Sequence, residues 1–179
     1  FIKKYNKNPN IGYAYYLLAL CHYDQIVDET KDTQRIFEAE KNFKIVTTNY
    51  QDTEYAIDSA YKLDYIQEIL ASKEMYVARY YVQREKWIPA INRFKTVVEI
   101  YENTIFIEEA LHRLVELNYK IGLEDEAKKY ATVLGYNYQS SEWYDQTYKI
   151  FNKNYKKISK KKTANKKNKF IQKFKELLK

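Results

Sequence analysis

Residues 78–97 read ARYYVQREKWIPAINRFKTV, and the fold class is inferred first from this stretch. Apolar residues follow a helical period on both sides of the polar segment 83–86. Pro89 falls in the first turn of the second segment, where its missing N–H has no helical partner to lose. Ala78 and Ala90 are small residues 12 positions apart. The stretch therefore predicts two antiparallel helices that approach closely at these alanines.

This two-helix plan recurs along the chain. Within 39–46, 90–97 and 127–134, a small residue is followed by apolar residues four and seven positions later. The matching upstream positions are 19, 78 and 115, at a distance of 12 residues in both later copies and 20 in the first. The pattern resembles the tetratricopeptide repeat and predicts an all-α, tetratricopeptide-like, right-handed helical solenoid. The alternative is a helical bundle in which the alanine spacing is accidental.

The helical period predicts eight helices in about four pairs. Ser72 is expected to cap the fourth helix, and Gly122 and Gly135 to end the sixth and seventh. Because the chain has only three Gly and two Pro, it lacks the turn residues of a hairpin-rich β-fold. The predicted helices span 11–26, 34–49, 54–71, 73–84, 87–101, 105–121, 124–134 and 143–155.

Residues with catalytic or metal-binding chemistry are few and scattered. The chain has one Cys and two His, so an internal disulfide and a four-cysteine zinc site are both excluded. Cys21 and His22 are adjacent on a predicted helix, and their side chains diverge by about 100°. Three isolated glycines form no phosphate-binding loop. We therefore predict no catalytic residue, no metal site and no cofactor.

Cys21 has two interpretations. An apolar run ending in Leu20-Cys21 has the outline of a lipoprotein signal, with Lys3 and Lys4 before it. Asn8-Pro9-Asn10 interrupts this run, and Leu20 is bulky where the processing site needs a small residue. The preferred prediction is a buried cysteine on the first helix.

Charge is concentrated at the C-terminal end of the chain. Residues 153–179 contain 12 Lys and one acid, a net charge of +11, while the whole chain carries +7. Residues 1–152 therefore carry −4, which is unlike a uniformly basic surface that binds nucleic acid. We predict a helical solenoid at 1–155, a basic linker at 156–169 and a short amphipathic basic helix at 170–179. The apolar stripe of this last helix comprises Phe170, Ile171, Phe174, Leu177 and Leu178.

The tail helix has more than one possible partner. A basic amphipathic helix suits an anionic membrane surface or an acidic groove on a partner protein. The alternative is a terminal helix that packs on its own solenoid, which would not need 12 lysines.

Several longer strings resemble one family more closely than a generic repeat. They are LASKEMYVARYY at 70–81, WIPAINR at 87–93 and LGYNYQSSEWY at 134–144. They resemble the outer-membrane assembly lipoprotein family called BamD or YfiO, and the last string resembles its alphaproteobacterial branch. The family's Gly near Glu85 is missing here, as are its N-terminal signal, its lipid-accepting Cys and its first repeats. Since the chain begins at Phe1, we interpret it as a fragment or a processed product.

The resemblance implies a non-catalytic scaffold of the machinery that assembles outer-membrane β-barrels. The implied partners are the periplasmic domains of the barrel-forming subunit, other assembly lipoproteins and unfolded outer-membrane proteins. The implied location is the periplasmic face of a Gram-negative outer membrane, reached through a lipid anchor that this chain does not contain. Arg93, Arg113 and Glu109 are expected to face the barrel-forming subunit. The alternatives are a generic tetratricopeptide adaptor and a nucleic-acid-associated protein that uses its Lys-rich tail.

The residues themselves add to this set of candidates. Arginine makes forked contacts and recurs at interface hot spots, which singles out Arg79 and Arg84 beside Arg93 and Arg113. The competing interpretation is a structural ion pair, for example Arg93 with Glu85 or Glu116. We expect Tyr81 to lie in the core and Tyr80 to be exposed as a further partner-binding candidate. Trp87 and Trp143 are expected to fill gaps between helix pairs.

Overall fold

A computed structural model describes residues 2–5, 7–26 and 33–152. This part of the chain forms seven α-helices and no strand, which confirms the all-α, tetratricopeptide-like prediction. The predicted linker 156–169 and tail helix 170–179 lie outside the described residues. The helices are α1 (Ile11–Tyr23), α2 (Thr33–Asn49), α3 (Glu54–Gln83), α4 (Trp87–Ile100), α5 (Ile107–Lys120), α6 (Glu124–Asn137) and α7 (Glu142–Phe151).

The helices pack as consecutive pairs. α1 packs on α2, α3 on α4 and α5 on α6, while α2–α3 and α4–α5 contacts join one pair to the next. α7 packs mainly against α5 and less against α6. In the described residues, the fold is therefore three pairs followed by a seventh helix.

The small residues of the repeat lie where the helices meet. Ala78 and Ala90 are fully buried in the central core cluster with Met75, Phe94 and Leu114. The other repeat positions, Ala19, Ala39, Val115 and Ala127, are also 0% exposed. Because a larger side chain would hold the backbones apart, the alanine spacing of the sequence fixes which turns of the two helices meet.

The predicted break at Ser72 is wrong. α3 runs without interruption from Glu54 to Gln83, and Ser72 lies in its interior. Leu70, Ala71 and Met75 around it are all buried, so packing continues through the position. A serine caps a helix only where the helical backbone is interrupted and a new helix begins. At Ser72 the buried contacts of α3 continue on both sides, so the backbone stays helical. The predicted third and fourth helices are one, and the expected fourth pair is absent from the described residues.

The helix ends show which punctuating residues act as caps. Thr53 caps α3, because its Oγ1 accepts a hydrogen bond from the backbone N–H of Ala56 at 3.3 Å. Gly122 has φ +84° and ends α5 as predicted, since this left-handed conformation suits glycine. Gly135 does not end a helix: it lies inside α6. A Cβ there would come within 3.1 Å of the Tyr144 ring, so this glycine gives α7 room to pack.

No helix in the described ranges combines the length and the hydropathy that a membrane span requires.

Candidate protein-binding site

Arg79 and Glu109 form a forked ion pair between α3 and α5. The Nε of Arg79 donates to Oε1 of Glu109 at 3.1 Å, and its Nη2 donates to Oε2 at 2.5 Å. The Arg79 side chain is 46% exposed and that of Glu109 is 14% exposed. The acid is thus satisfied within the protein, while the arginine remains accessible at the surface.

Arg113 extends this ion pair along α5 and onto α7. Its Nη1 donates to Oε2 of Glu116 at 2.7 Å, and its Nε lies 3.8 Å from Oε1 of Glu109. Its guanidinium carbon lies 5.8 Å from the ring centroid of Trp143, at the start of α7. Arg79, Glu109, Arg113, Glu116 and Trp143 are together called the charge cluster below. The structure therefore brings three of the predicted residues, Arg79, Glu109 and Arg113, into one network.

Arg93 lies apart from the charge cluster. Its Nη1 donates to both carboxylate oxygens of Glu74, at 3.3 and 3.1 Å, so its ion partner is neither Glu85 nor Glu116 as suggested from the sequence. It lines a surface groove of about 290 Å³ along α4. The other lining residues are Tyr81, Ile88, Pro89, Asn92 and Thr96. Ile88 is 58% exposed, so the groove offers apolar surface beside a cation.

Arg84 and Tyr80 form a second small unit at the end of α3. The Arg84 guanidinium lies 5.0 Å from the ring centroid of Tyr80, and the rings of Tyr80 and Tyr81 meet edge to face at 5.9 Å. Tyr80 is 45% exposed, whereas Tyr81 packs partly buried against the central core. The predicted exposure of Tyr80 and the packing of Tyr81 against the core are both observed, while the partner-binding role of Tyr80 stays a prediction.

The two tryptophans pack against core clusters, as predicted. Trp87 is partly buried against the central cluster, with the Lys120 ammonium 3.9 Å from its ring centroid. Trp143 is partly buried against the cluster of Ile107, Leu111 and Leu134. Trp143 also serves as the surface over which Arg113 lies, so it belongs to both the core and the charge cluster.

His112 is a neighbour of the charge cluster that the sequence did not single out. It is 5% exposed on α5, and its Nδ1 lies 2.8 Å from Oγ1 of Thr147 on α7. Burial lowers the pKa of His112 below its ordinary value. Thr147 is 35 residues from His112 in sequence, so no local sequence pattern predicts the contact between them.

A tyrosine cluster joins α1 to the first half of α3, and the sequence analysis did not predict it. The rings of Tyr13, Tyr16 and Tyr55 lie about 6 Å apart. The hydroxyl of Tyr16 donates to Oδ2 of Asp58 at 2.7 Å. Burial, and then this bond to Asp58, raises the pKa of Tyr16 to about 12.

Cys21 is helical but exposed, so the predicted buried position is wrong. It lies on α1 in the same stretch as Leu17 and Leu18, which are 43% and 38% exposed.

Among the described residues, no group of three or more His, Cys, Asp or Glu could hold a metal ion. The described site presents arginines, an acid and aromatic rings, and arginine and aromatic side chains recur at the hot spots of protein interfaces.

The described residues thus form a tetratricopeptide-like helical repeat protein, a class whose stacked helix pairs present extended surfaces on which other polypeptides can bind. Residues 1–134 match the YfiO family model, described as outer membrane lipoprotein. The chain belongs to this family.

Three curated relatives of the chain carry the name BamD. It is 46% identical to the outer membrane protein assembly factor BamD of Rickettsia prowazekii over 155 residues, which cover 87% of the chain and 61% of that protein. It is 42% identical to the BamD of Caulobacter vibrioides, over 86% of the chain and 50% of that protein. It is 30% identical to the BamD of Neisseria gonorrhoeae, over 67% of the chain and 48% of that protein. The first two fit the alphaproteobacterial branch. The chain spans about half to three fifths of the length of these curated relatives.

Proposed function

We propose that the chain is a non-catalytic scaffold subunit of the machinery that assembles β-barrel proteins in the outer membrane, acting at its periplasmic face. The observation that carries the proposal is 46% identity, over 87% of the chain, to a protein named outer membrane protein assembly factor BamD. The fold supports it, because stacked helix pairs present an extended surface to other polypeptides. The proposed partners are the periplasmic domains of the barrel-forming subunit, other assembly lipoproteins and unfolded outer-membrane proteins.

The proposed contact surface for the barrel-forming subunit centres on Arg93, Arg113 and Glu109, with Arg79, Arg84 and Tyr80 around them. Arg79 neutralises the charge of Glu109 within the protein, so the role we assign to Glu109 is to hold Arg79 and Arg113 in place. Within the described residues, Arg93 bonds Glu74 through Nη1 alone. The rest of its guanidinium is available for a partner carboxylate, since arginine carries five N–H donors. The groove beside it accepts an apolar side chain of the same partner.

The test separates partner binding from internal ion pairing at Arg93. Arg93→Glu is compared with the double swap Glu74→Arg/Arg93→Glu, which restores an ion pair between α3 and α4 with its charges reversed. Affinity for the periplasmic domains of the barrel-forming subunit is measured by biolayer interferometry. We expect both variants to bind at least roughly tenfold more weakly, the loss of about 1.4 kcal/mol that one charged interface contact supplies. Arg35→Glu, at an exposed arginine of α2, is the matched control.

A double swap that binds as tightly as the wild type would remove Arg93 from the interface and leave it a structural residue.

The salt dependence of binding distinguishes the competing proposal, nucleic-acid binding through the Lys-rich segment 153–179. Nucleic-acid binding falls steeply with salt and survives in a peptide of residues 153–179 alone. The proposed protein contact requires the folded helices and persists at moderate salt.

A further inference from the structure

The only imidazole of α5 lies buried where α7 packs on the solenoid. His112 is 5% exposed and Thr147 is 2% exposed, and the two share a hydrogen bond of 2.8 Å. The His112 ring also packs on Trp143, with ring centroids 5.2 Å apart. Two of the contacts that hold α7, one polar and one aromatic, therefore converge on a single titratable side chain.

Burial is the main influence on the charge of His112, and it opposes protonation of the ring. Arg113, its neighbour on α5, brings a permanent cation close by, while Glu109 and Glu116 of the same helix bring opposite charges. Those two carboxylates are already bonded to arginines, Glu109 to Arg79 of α3 and Glu116 to Arg113. Thr147 and Trp143, the groups of α7 that contact the His112 ring, are both neutral. α7 also carries one buried acid, Asp145.

We propose that His112 is an acid-sensitive latch: its neutral imidazole holds α7 against α5, and its protonation loosens α7 and with it the Trp143 surface over which Arg113 lies. The regulatory meaning rests on the proposed function, because Arg113 belongs to the proposed partner-binding surface. The latch itself is a property of this chain alone.

The physical cause is the burial of charge. Thr147 can accept a hydrogen bond from a protonated imidazole, so the bond survives. The new charge is cut off from water, however, and the nearby carboxylates of Glu116 and Glu109 offset this cost only in part. Releasing α7 returns the imidazolium to solvent. α7 has ten residues and packs chiefly on one helix, so among the described helices it has the least packing to resist release.

The direction with pH follows from linkage. Burial lowers the pKa of His112 in the folded protein below the ordinary value of 6.5. Above pH 6.5 the imidazole is neutral in both states, and the docked helix keeps its full stability. As pH falls through 6.5 towards the folded-state pKa, the released state takes up more protons, and docking weakens. Side-chain carboxylates ordinarily titrate near pH 4, so measurements at pH 5.5 and above report on the imidazole.

The experiment is amide hydrogen exchange of the full chain at pH 7.5 and pH 5.5, corrected for the intrinsic effect of pH on exchange. We expect the opening of α7, residues 142–151, to rise several-fold at pH 5.5 relative to that of α3. Because the ordinary pKa of 6.5 lies one unit above pH 5.5, the rise is limited to about tenfold, however far burial lowers the pKa of His112. His112→Asn, which places a neutral polar group near the position of Nδ1, should make the opening of α7 independent of pH. His112→Gln serves if His112→Asn does not fold by circular dichroism.

His22→Asn is the matched control, because the chain has only two histidines and His22 lies on α1. That variant should keep the acid response of α7. Equal opening of α7 at both pH values in the wild type would overturn the latch, as would an unchanged acid response in His112→Asn and His112→Gln. The outcome is independent of the proposed function, which fails separately if the barrel-forming subunit does not bind at pH 7.5.

Discussion

Glu85 occupies the backbone conformation that glycine adopts most readily. It lies in the turn between α3 and α4 with φ +55°, the one positive value outside glycine among the described residues. A side chain in this left-handed region costs roughly 1–2 kcal/mol. The sequence resemblance places a family glycine near this position, and the structure supplies the physical reason for it.

Glu85→Gly should therefore stabilise the protein. The gain is expected to be about 1 kcal/mol, because relief of backbone strain is partly offset by the greater freedom of glycine in the unfolded chain. The measurement is the free energy of unfolding from urea titration. Glu85→Ala is the control, since alanine keeps the strain, and an equal gain in both variants would contradict the explanation.

Tyr16 gives a second prediction, at alkaline pH. Its pKa of about 12 in the folded protein exceeds the ordinary 10, so folding favours the neutral phenol. The corresponding stability is complete below pH 10 and is lost as pH rises from 10 towards 12. Tyr16→Phe should lower stability at pH 7 by about 1 kcal/mol, through loss of the bond to Asp58, and reduce the alkaline loss.

Part of the alkaline loss should remain in Tyr16→Phe, because burial also raises the pKa values of Tyr23 and Tyr101. Urea unfolding at pH 8 and pH 10.5 measures the effect. An identical pH dependence in wild type and variant would contradict the assignment to Tyr16.

For the helices, sequence patterns predicted those features that depend on local periodicity, namely the helical repeat and one helix end. The helical period and the spacing of Ala78 and Ala90 gave the repeat, and Gly122 was correctly placed at a helix end. Ser72 and Gly135 misled because both residue types also occur inside helices when packing demands it. The pairing of Arg93 with Glu74 depends on how α3 and α4 are aligned side by side, which no single helix encodes.

The continuity of α3 makes its own prediction. Ser72→Pro should cost about 3 kcal/mol or more, because proline inside a helix removes a hydrogen bond and clashes with the preceding turn. At the start of a helix the same change would be tolerated. Thermal unfolding by circular dichroism measures it, with Ser72→Ala as a control that should be neutral or slightly stabilising. Near-wild-type stability of Ser72→Pro would mean that α3 is two helices.

At the scale of the whole molecule, partly buried residues at the junctions join the core clusters. Tyr101 packs against the central cluster and against an N-terminal cluster that includes Ile36, Phe43 and Ile66. Val98 and Tyr130 pack against the central cluster and against the C-terminal cluster of Ile107, Leu111 and Leu134. In a repeat array each unit contacts only its neighbours, so the packing at these junctions determines whether the helix pairs unfold in a single cooperative transition. Tyr101→Ala should destabilise by about 2–3 kcal/mol and weaken this coupling.

The expected result for Tyr101→Ala is that two probes of unfolding no longer coincide. Far-UV circular dichroism reports on all helices, while tryptophan fluorescence reports on Trp87 and Trp143 in the central and C-terminal clusters. Val133→Ala, at a side chain that is 43% exposed, should leave the two transitions superimposed. Coincident transitions in Tyr101→Ala would show that the junction does not carry the coupling.

The proposed function depends on binding of the folded helices to the barrel-forming subunit. Its most direct test is calorimetric titration of the full chain with the purified periplasmic domains of that subunit at moderate salt and pH 7.5. We expect saturable binding, weakened in Glu74→Arg/Arg93→Glu but not in Arg35→Glu. An absence of binding, or binding of equal strength by residues 153–179 alone, would contradict it.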